Sequence, residues 1–203
     1  LHTEPELEFN SMHRMCDDLR PEYDNVMIEK WIKGETGFPF LDACMKFLQT
    51  NGWINFRMRA MIMSFASYNM WQPWQKTSPL LAELFTDYEP GIHISQVQMQ
   101  SGVTGINLPR IYSVTKQSMD QDPNADWIKR LIPKLREFDP KLIHEANLNN
   151  SYIPKIVDLK ESAKFARDQV WSIRKNKHFK NEAKLVYLKH GSRRKRRLAV
   201  NQR

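Results

Sequence analysis

The residues with the clearest chemical potential lie in the most apolar stretch of the chain, Ile54 to Met70, which nevertheless carries Asn55, Arg57 and Arg59. A helix that is apolar on nearly every side is expected to be buried. A buried arginine must be paired with an anion or bind a ligand, because an isolated charge is costly away from water. This stretch therefore predicts either a polar pocket inside a helical core or a structural ion pair.

The spacing of the two arginines separates their directions. Residues two apart on a helix differ by about 200° of rotation, so Arg57 and Arg59 leave on opposite faces. Asn55 and Arg59 are four apart and share a face. Asp87 or Glu89 is the candidate partner for the inward arginine, and a purely structural salt bridge remains an equal alternative.

A second polar group follows at Gly91-Ile92-His93 and at Gln96, Gln98 and Gln100. A lone histidine and three amides near small residues can line a ligand. They can equally satisfy loop backbone, and a lone histidine is more often structural. Both interpretations stay open on the sequence alone.

The elements that must position these groups are predicted to be helical, because strand patterning is scarce and apolar residues recur at helical spacing. Residues 1–20 are expected to form coil or a short helix. Residues 87–123, rich in Gly and Pro, are expected to form a long and functional loop, with short helices inside it as the alternative. The predicted helices are 24–33, 39–50, a central helix starting at Trp53 and stopped by Pro73, 79–86, 124–131, 134–138 and 161–189. The class is all-α.

Charge divides the chain of 203 residues, whose formal net charge is +8. From Lys160 onward there are 15 Lys/Arg and 3 Asp/Glu, so the basicity belongs to the C-terminal quarter. We predict a body over 1–159 and a basic helical extension with a tail over 160–203 that includes Arg193 to Arg197. Cys16 and Cys44 have no metal spacing and favour a reducing compartment. The chain has no run of about 18 apolar residues, so no membrane span is expected.

Several motifs together resemble the C-terminal flavin-binding region of the photolyase/cryptochrome family: TGFPFLDACMKFL, GWINFRMRAMIMSFA, DYEPG, GVTGINLPRIY and DPNADWIKRLIPKL. Their order and spacing match over roughly residues 3–138. The resemblance implies a multi-helix domain that holds FAD in a deep pocket. It also implies an antenna domain, or a separate N-terminal half, as a missing partner, so the chain is expected to be a fragment, a split-gene product or a truncated relative.

The resemblance assigns roles residue by residue. Arg59 and Asp87 match the pair that lies across the flavin ring, and His93 falls beside the redox-active ring nitrogen, where a polar group can tune the flavin. The cofactor-side set is Trp53, Asn55, Phe56, Arg59, Asp87, Glu89 and His93. The DNA-side set is Arg57, Met99, Arg110 and Lys116, of which the arginines match phosphate-binding positions. No metal ligands are predicted.

Two departures from the family pattern concern electron transfer and the lesion. Trp74 matches the middle tryptophan of the usual three-residue relay, whereas Val97 and Pro21 stand at the other two positions. The relay is therefore broken, and Trp71, Tyr88, Tyr112 or Trp127 are alternative routes. Met99 stands where a tryptophan usually packs on the lesion.

The function that the resemblance implies is FAD-dependent, blue-light-driven repair of DNA, with electron transfer from reduced FAD to a flipped pyrimidine dimer. The alternatives are a cryptochrome-type light receptor and a flavin-free helical module that binds DNA or a protein. The expected partner is UV-damaged DNA. The expected compartment is the cytoplasm, or the nucleus in a eukaryote.

Overall fold

The computed structural model describes residues 3–191, which form helices, turns and connecting loops with no strand in that range. The all-α prediction is confirmed. The α-helices are α1 Asn25–Lys33, α2 Pro39–Asn51, α3 Phe56–Ser64, α4 Trp74–Leu84, α5 Pro90–Ser101, α6 Val114–Gln121, α7 Asp126–Leu131, α8 Pro140–His144, α9 Leu159–Arg174 and α10 Lys177–His190. Short 3-10 turns lie at Pro5–Glu8, Arg14–Leu19, Pro133–Leu135 and Asn149–Ser151. No helix in the described range is long and apolar enough to cross a bilayer.

Helix α2 is the centre of the core, and it packs against α1, α3, α6, α7 and α8. Pro39 supplies the first helical residue, and Gly52 ends the helix in the left-handed conformation with φ +67°. Leu41, Cys44 and Leu48 are fully buried. Burying a side chain such as Leu41 or Leu48 contributes about 1.5–3 kcal/mol, so α2 holds the surrounding helices together.

A buried carboxylate links α2 to two loops. Asp42 accepts hydrogen bonds from the backbone N–H and hydroxyl of Thr36 at 2.8 and 2.6 Å, and from the N–H of Gly37 at 3.1 Å. The Tyr152 hydroxyl donates a fourth at 2.9 Å. Burial raises the pKa of Asp42, and these hydrogen bonds oppose that rise.

The central apolar stretch is shorter as a regular helix than predicted. Asn55 is the N-cap of α3, and its side chain accepts from the N–H of Met58, so the helix begins at Phe56 and not at Trp53. After Ser64 the chain continues as a π-helical turn, Phe65–Asn69, because Met70 donates to the carbonyl of Phe65 at 3.0 Å. The turn is fully buried and packs against α9.

Three regions that contain proline differ from the predictions. The segment 87–123 is not an unbroken loop, because it contains α5 and α6, as the alternative of helices inside it allowed. Pro90 occupies the first turn of α5, and Gly102 caps its end at φ +73°. Helix α4 begins at Trp74, so Pro79 lies inside that helix and does not start it. The predicted helix 134–138 is a single 3-10 turn at Pro133–Leu135.

The C-terminal region contains two helices in place of the single predicted one. The helical conformation breaks between α9 and α10 at Asn176. The side chain of Asn176 caps α10 by accepting from the N–H of His178 at 2.8 Å. Helix α9 packs on the body through Ala166 and Val170, which are buried beside Tyr68. The predicted basic tail, 193–197, lies outside the described residues.

Candidate functional site

Arg59 and Asp87 form an ion pair, with 2.9 Å between Nη2 and Oδ2. Arg59 also donates from Nε to the carbonyl of Ile54 at 2.7 Å, and its guanidinium lies 4.2 Å from the centre of the Phe85 ring. The Arg59 side chain is 25% exposed and that of Asp87 47% exposed. The predicted pairing is confirmed, but the expectation of a buried arginine is wrong, because the first turn of α3 lies at the surface.

The position of Asp87 depends on a contact between two loops. Thr86 donates to the carbonyl of Gly52 from its N–H at 2.9 Å and from its hydroxyl at 3.1 Å. This contact joins the end of α2 to the segment before α5 and places Asp87 beside α3. The arginine hydrogen bond then holds the pKa of Asp87 below its usual range.

Gly52→Ala is expected to disturb this contact. Gly52 has φ +67°, and a Cβ there would collide with Cγ2 of Thr86. A left-handed alanine costs about 1–2 kcal/mol before any steric displacement. We expect a loss of about 1–3 kcal/mol in the free energy of unfolding by urea, with a rise in the pKa of Asp87 measured by NMR.

Gly91→Ala is the matched control, because Gly91 lies within α5 and its nearest neighbour is the flexible end of Glu89. An equal loss in both variants would contradict the proposed role of Gly52.

His93 lies on α5 and contacts Ser78 of α4 through its Nε2 atom. Its Nε2 lies 3.1 Å from the carbonyl of Ser78 and 3.0 Å from the Ser78 hydroxyl. A carbonyl can only accept, so we assign the N–H to Nε2 and a lone pair to Nδ1. Burial lowers the pKa of His93, which favours a neutral imidazole that can accept one further hydrogen bond.

This pKa shift predicts a pH dependence of stability. The pKa of His93 in the folded chain lies below its usual value of about 6.5, so the unfolded chain binds more protons between the two values. The free energy of unfolding should therefore fall as the pH is lowered through 6.5 toward the folded pKa. Urea titrations of the wild type and of His93→Gln across this range measure the difference. A constant difference between the two proteins at every pH would contradict the assignment.

Five of the predicted cofactor-side residues meet at one cavity of about 150 Å³: Phe56, Arg59, Asp87, Glu89 and His93. Apolar side chains, including Met63, Leu81 and Val97, form much of the remaining wall. Glu89 also caps α5 by accepting from the N–H groups of Gly91 and Ile92. The lining thus combines one guanidinium, carboxylates, a histidine and an apolar surface.

The three glutamines differ in role: one satisfies backbone groups, and two line the cavity. Gln98 satisfies backbone, since its amide donates to the carbonyls of Leu7 and Asn10 and accepts from Met12. Gln96 and Gln100 line the cavity. Oε1 of Gln96 is buried and has no hydrogen-bond partner within residues 3–191.

Other predicted residues lie outside this lining. Trp53 is 52% exposed, and Asn55 is engaged as the cap of α3. Trp74 is buried, donates to the Ser11 hydroxyl at 3.1 Å and lines a neighbouring cavity together with Tyr88 and His93. Met99 is half-buried and absent from the lining.

The predicted DNA-side cations are on the surface. Arg57 and Arg110 are exposed, as helix geometry predicts for an Arg57 directed away from Arg59. Lys116 is exposed and pairs with Asp120 at 3.0 Å. Among the four alternative relay aromatics, Tyr88 lines the Arg59 cavity and reaches the surface with 42% exposure.

A larger cavity lies elsewhere and contains none of the predicted cofactor or DNA residues. It has a volume of about 790 Å³ and is lined in part by Asn69, Tyr112, Lys155 and Arg167. The Arg59 cavity is therefore the candidate cofactor site because of the side chains that line it, and not because of its volume.

A comparison with known protein families decides the identity of the fold. The family described as "FAD binding domain of DNA photolyase" matches residues 1–172, most of the chain. This chain belongs to that family. The photolyase-type fold and the cofactor prediction, FAD, are confirmed at the level of the family.

Individual relatives show the same relationship. The chain is 29% identical over 144 residues to a deoxyribodipyrimidine photo-lyase of Alkalihalophilus pseudofirmus, covering 70% of this chain and 30% of the relative. It is 29% identical over 140 residues to the chloroplastic/mitochondrial cryptochrome DASH of Solanum lycopersicum, covering 68% of this chain and 24% of the relative. The chain thus spans less than a third of the length of these relatives.

Solved structures agree with the fold. An archaeal photolyase from Sulfolobus tokodaii, whose crystal structure contains two FAD molecules, superposes with a TM-score of 0.79 at 25% identity, over 84% of this chain and 40% of that protein. A class III photolyase from Agrobacterium tumefaciens superposes with a TM-score of 0.74 at 23% identity, over 85% of this chain and 39% of that protein. At 23% identity the second comparison supports the fold alone.

The residues of the Arg59 cavity fit part of a flavin. An aromatic ring system with polar edges suits an apolar wall that carries one fixed guanidinium, and the unpartnered Gln96 Oε1 can accept from a ring N–H. A cavity of about 150 Å³ is smaller than usual small-molecule pockets, which are about 300–1,000 Å³. It therefore fits a portion of the ring system and not the whole of FAD.

Proposed function

We propose that this chain supplies the flavin-side part of a blue-light-driven DNA photolyase that acts on pyrimidine dimers. The observation that carries the proposal is the convergence of Arg59, Asp87 and His93 on one cavity in a member of a photolyase FAD-binding family. Arg57, on the opposite face of α3, offers an exposed cation that does not line the cavity. UV-damaged DNA is the proposed substrate.

The side chains have distinct tasks in this proposal. Bound and reduced FAD would supply the electron that light transfers to a DNA lesion. Arg59 places a positive charge at the cavity wall, and its contacts with Asp87, Ile54 and Phe85 keep that charge in place. His93 offers a lone pair at Nδ1, and the apolar wall excludes water from the remaining surface.

Arg57 and Arg110 are proposed to hold DNA phosphates. Replacing both with Gln should weaken binding to duplex DNA and flatten the dependence of log K on log salt by about 1.8, since each phosphate contact contributes about 0.9 to that slope. Fluorescence anisotropy between low and moderate salt measures the slope. Lys30→Gln with Lys141→Gln removes the same charge from the exposed faces of α1 and α8. Equal slopes in the two double variants would contradict specific contacts.

A cryptochrome-type light receptor is the second candidate. Val97 and Met99 occupy positions where the family pattern has relay and lesion-facing tryptophans, and Val97 is only 4% exposed at the cavity. These substitutions favour signalling over repair. A flavin-free module that binds DNA or a protein is the third candidate, favoured by a cavity that fits only part of FAD.

The first two candidates differ in a single assay. The chain, assembled with its proposed N-terminal half, reconstituted with FAD and reduced, is illuminated with DNA that contains pyrimidine dimers. The remaining dimers are counted against a dark control. Loss of dimers supports repair. Bound flavin without any light-dependent loss would reject the photolyase proposal and leave the receptor.

The partner and the compartment also belong to the proposal. An antenna domain or an N-terminal half is the proposed protein partner, supported by relatives about three times as long as the matched segment. Cys16 and Cys44 are buried free thiols, which supports a reducing compartment such as the cytoplasm, or the nucleus in a eukaryote. The division into 1–159 and 160–203 remains a proposal, and the family match extends to residue 172.

A further inference from the structure

A second surface lies where α9, α10 and the loop after α5 form an open groove of about 650 Å³. Trp171 and Arg174 of α9 line it, together with Lys180, Lys184 and Tyr187 of α10. No Asp or Glu of the described chain lines this groove. None of the predicted cofactor or DNA residues lines the groove, so it is separate from the proposed flavin and duplex DNA sites.

The groove exposes aromatic rings. Trp171 is 45% exposed and Tyr187 58% exposed, although both are large side chains that usually bury most of their area. An exposed ring in a basic groove is typical of proteins that stack unpaired bases.

Helix α10 carries its acidic residue Glu182 on the side facing the N-terminal segment and the lysines Lys180 and Lys184 on the side facing the groove. Glu182 turns toward the N-terminal segment, where it accepts from the N–H of Arg14 at 2.6 Å and lies 3.7 Å from Nδ1 of His13. Lys180 and Lys184 are one turn apart, and within residues 3–191 neither has a carboxylate within 4.0 Å. The groove side is therefore positive and uncompensated by local acids.

Arg174 adds a cation whose Nη1 has no acceptor within residues 3–191. Its guanidinium carbon lies 5.7 Å from the Trp171 ring centre and 5.4 Å from that of Phe179. Its Nη1 is buried and has no hydrogen-bond partner among the described residues. Stacked guanidinium groups with unused N–H donors are suited to phosphate.

The opposite wall is held rigidly. Gly105 has φ +75°, and a Cβ there would collide with the ring of His13. That ring stacks on Phe179 with 3.8 Å between the ring centres, and its Nε2–H donates to the Phe179 carbonyl at 3.0 Å. The same loop continues to Arg110, so the groove is connected along the chain to a residue proposed to contact DNA.

We infer that this groove binds single-stranded DNA, with bases stacked on Trp171 and Tyr187 and phosphates paired with Lys180, Lys184 and Arg174. Charge complementarity favours a polyanion over the chain's own segment 193–197, which has the same sign as the groove. An acidic peptide matches the charge but offers no row of planar rings. Binding here needs neither flavin nor light, so the inference extends beyond the proposed repair reaction and does not depend on it.

The test is fluorescence anisotropy of a labelled oligothymidylate with the 203-residue chain, in the dark and without FAD. Trp171→Ala should weaken binding roughly 5- to 150-fold, the range for loss of one base–aromatic stack. Lys180→Gln with Lys184→Gln should flatten the slope of log K against log salt by about 1.4. Tyr23→Ala, and Lys30→Gln with Lys141→Gln, are matched controls outside the groove and should leave both quantities unchanged. Circular dichroism confirms that each variant is folded.

Several results would overturn the inference. These are no binding of the single strand by the wild type, binding that Trp171→Ala and the lysine pair leave intact, or binding lost only in Arg57→Gln with Arg110→Gln. Displacement of a groove-bound acidic peptide or anionic phospholipid vesicle, with no competition from DNA, would assign the groove to another partner. None of these outcomes bears on flavin binding or dimer loss, which are measured separately.

Discussion

Asp42→Ala is expected to lose about 3–5 kcal/mol of unfolding free energy, the range for breaking a buried polar network. The variant leaves two N–H groups and the hydroxyls of Thr36 and Tyr152 without their shared acceptor. Asp42 and Thr36 are both fully buried, so water cannot replace the lost hydrogen bonds. Urea unfolding followed by circular dichroism measures the change.

Two companion variants test the cause. Tyr152→Phe removes one of the four donors and should cost about 1 kcal/mol. Asp18→Ala removes an exposed carboxylate of the same size and should stay within about 0.5 kcal/mol of the wild type. If Asp42→Ala were no more destabilising than Asp18→Ala, the network would not contribute to stability.

Arg59→Ala is expected to weaken FAD binding by roughly tenfold to a hundredfold, since a charge-assisted hydrogen bond contributes about 1.5–3 kcal/mol. The variant removes the fixed cation of the cavity and leaves Asp87 without its ion-pair partner. Asp87→Asn should have a smaller effect, because Arg59 keeps its hydrogen bond to Ile54 and its contact with Phe85. Equilibrium dialysis with FAD in the dark gives the dissociation constants.

Arg57→Ala is the matched control for this experiment. It removes an identical side chain two residues away on the opposite face of α3, where the arginine is exposed. We expect FAD binding to change by less than about threefold while duplex DNA binding weakens. Equal losses of FAD in Arg57→Ala and Arg59→Ala would show that only net charge matters.

The pairing of Arg59 with Asp87 was accessible from sequence, whereas its environment was not. Helical rotation separates Arg57 from Arg59, and the structure shows one exposed and the other ion-paired. Periodicity reports which faces are apolar but not which neighbouring element covers them. For that reason the 25% exposure of Arg59 contradicted the expectation of burial.

The contacts that place Asp87 were not predicted, because they join two loops that are far apart in the sequence. The N–H and the hydroxyl of Thr86 both donate to the carbonyl of Gly52, 34 residues away, and no local pattern predicts such a contact. Gly52 offered one usable signal, since an Asn-Gly pair at a helix end predicts a left-handed residue. The role of that residue in placing Asp87 required the tertiary structure.

The start of α5 and the break between α9 and α10 were not predicted, although each has a capping residue in the sequence. Glu89-Pro90 is a cap followed by a first-turn proline, yet the many Gly and Pro residues of 87–123 favoured a loop. Asn176 is a favourable N-cap inside the predicted helix 161–189, and the basic composition on both sides concealed the break. The π-helical turn at Phe65–Asn69 has no comparable signal, because buried packing against α9 stabilises it.

The most direct test of the flavin assignment is amide hydrogen exchange of the 203-residue chain with and without FAD in the dark. We expect slower exchange over the first turn of α3 and over 86–97, which contain Arg59, Asp87 and His93. Protection centred instead on the 790 Å³ cavity beside Asn69 and Tyr112, or no protection at all, would contradict it.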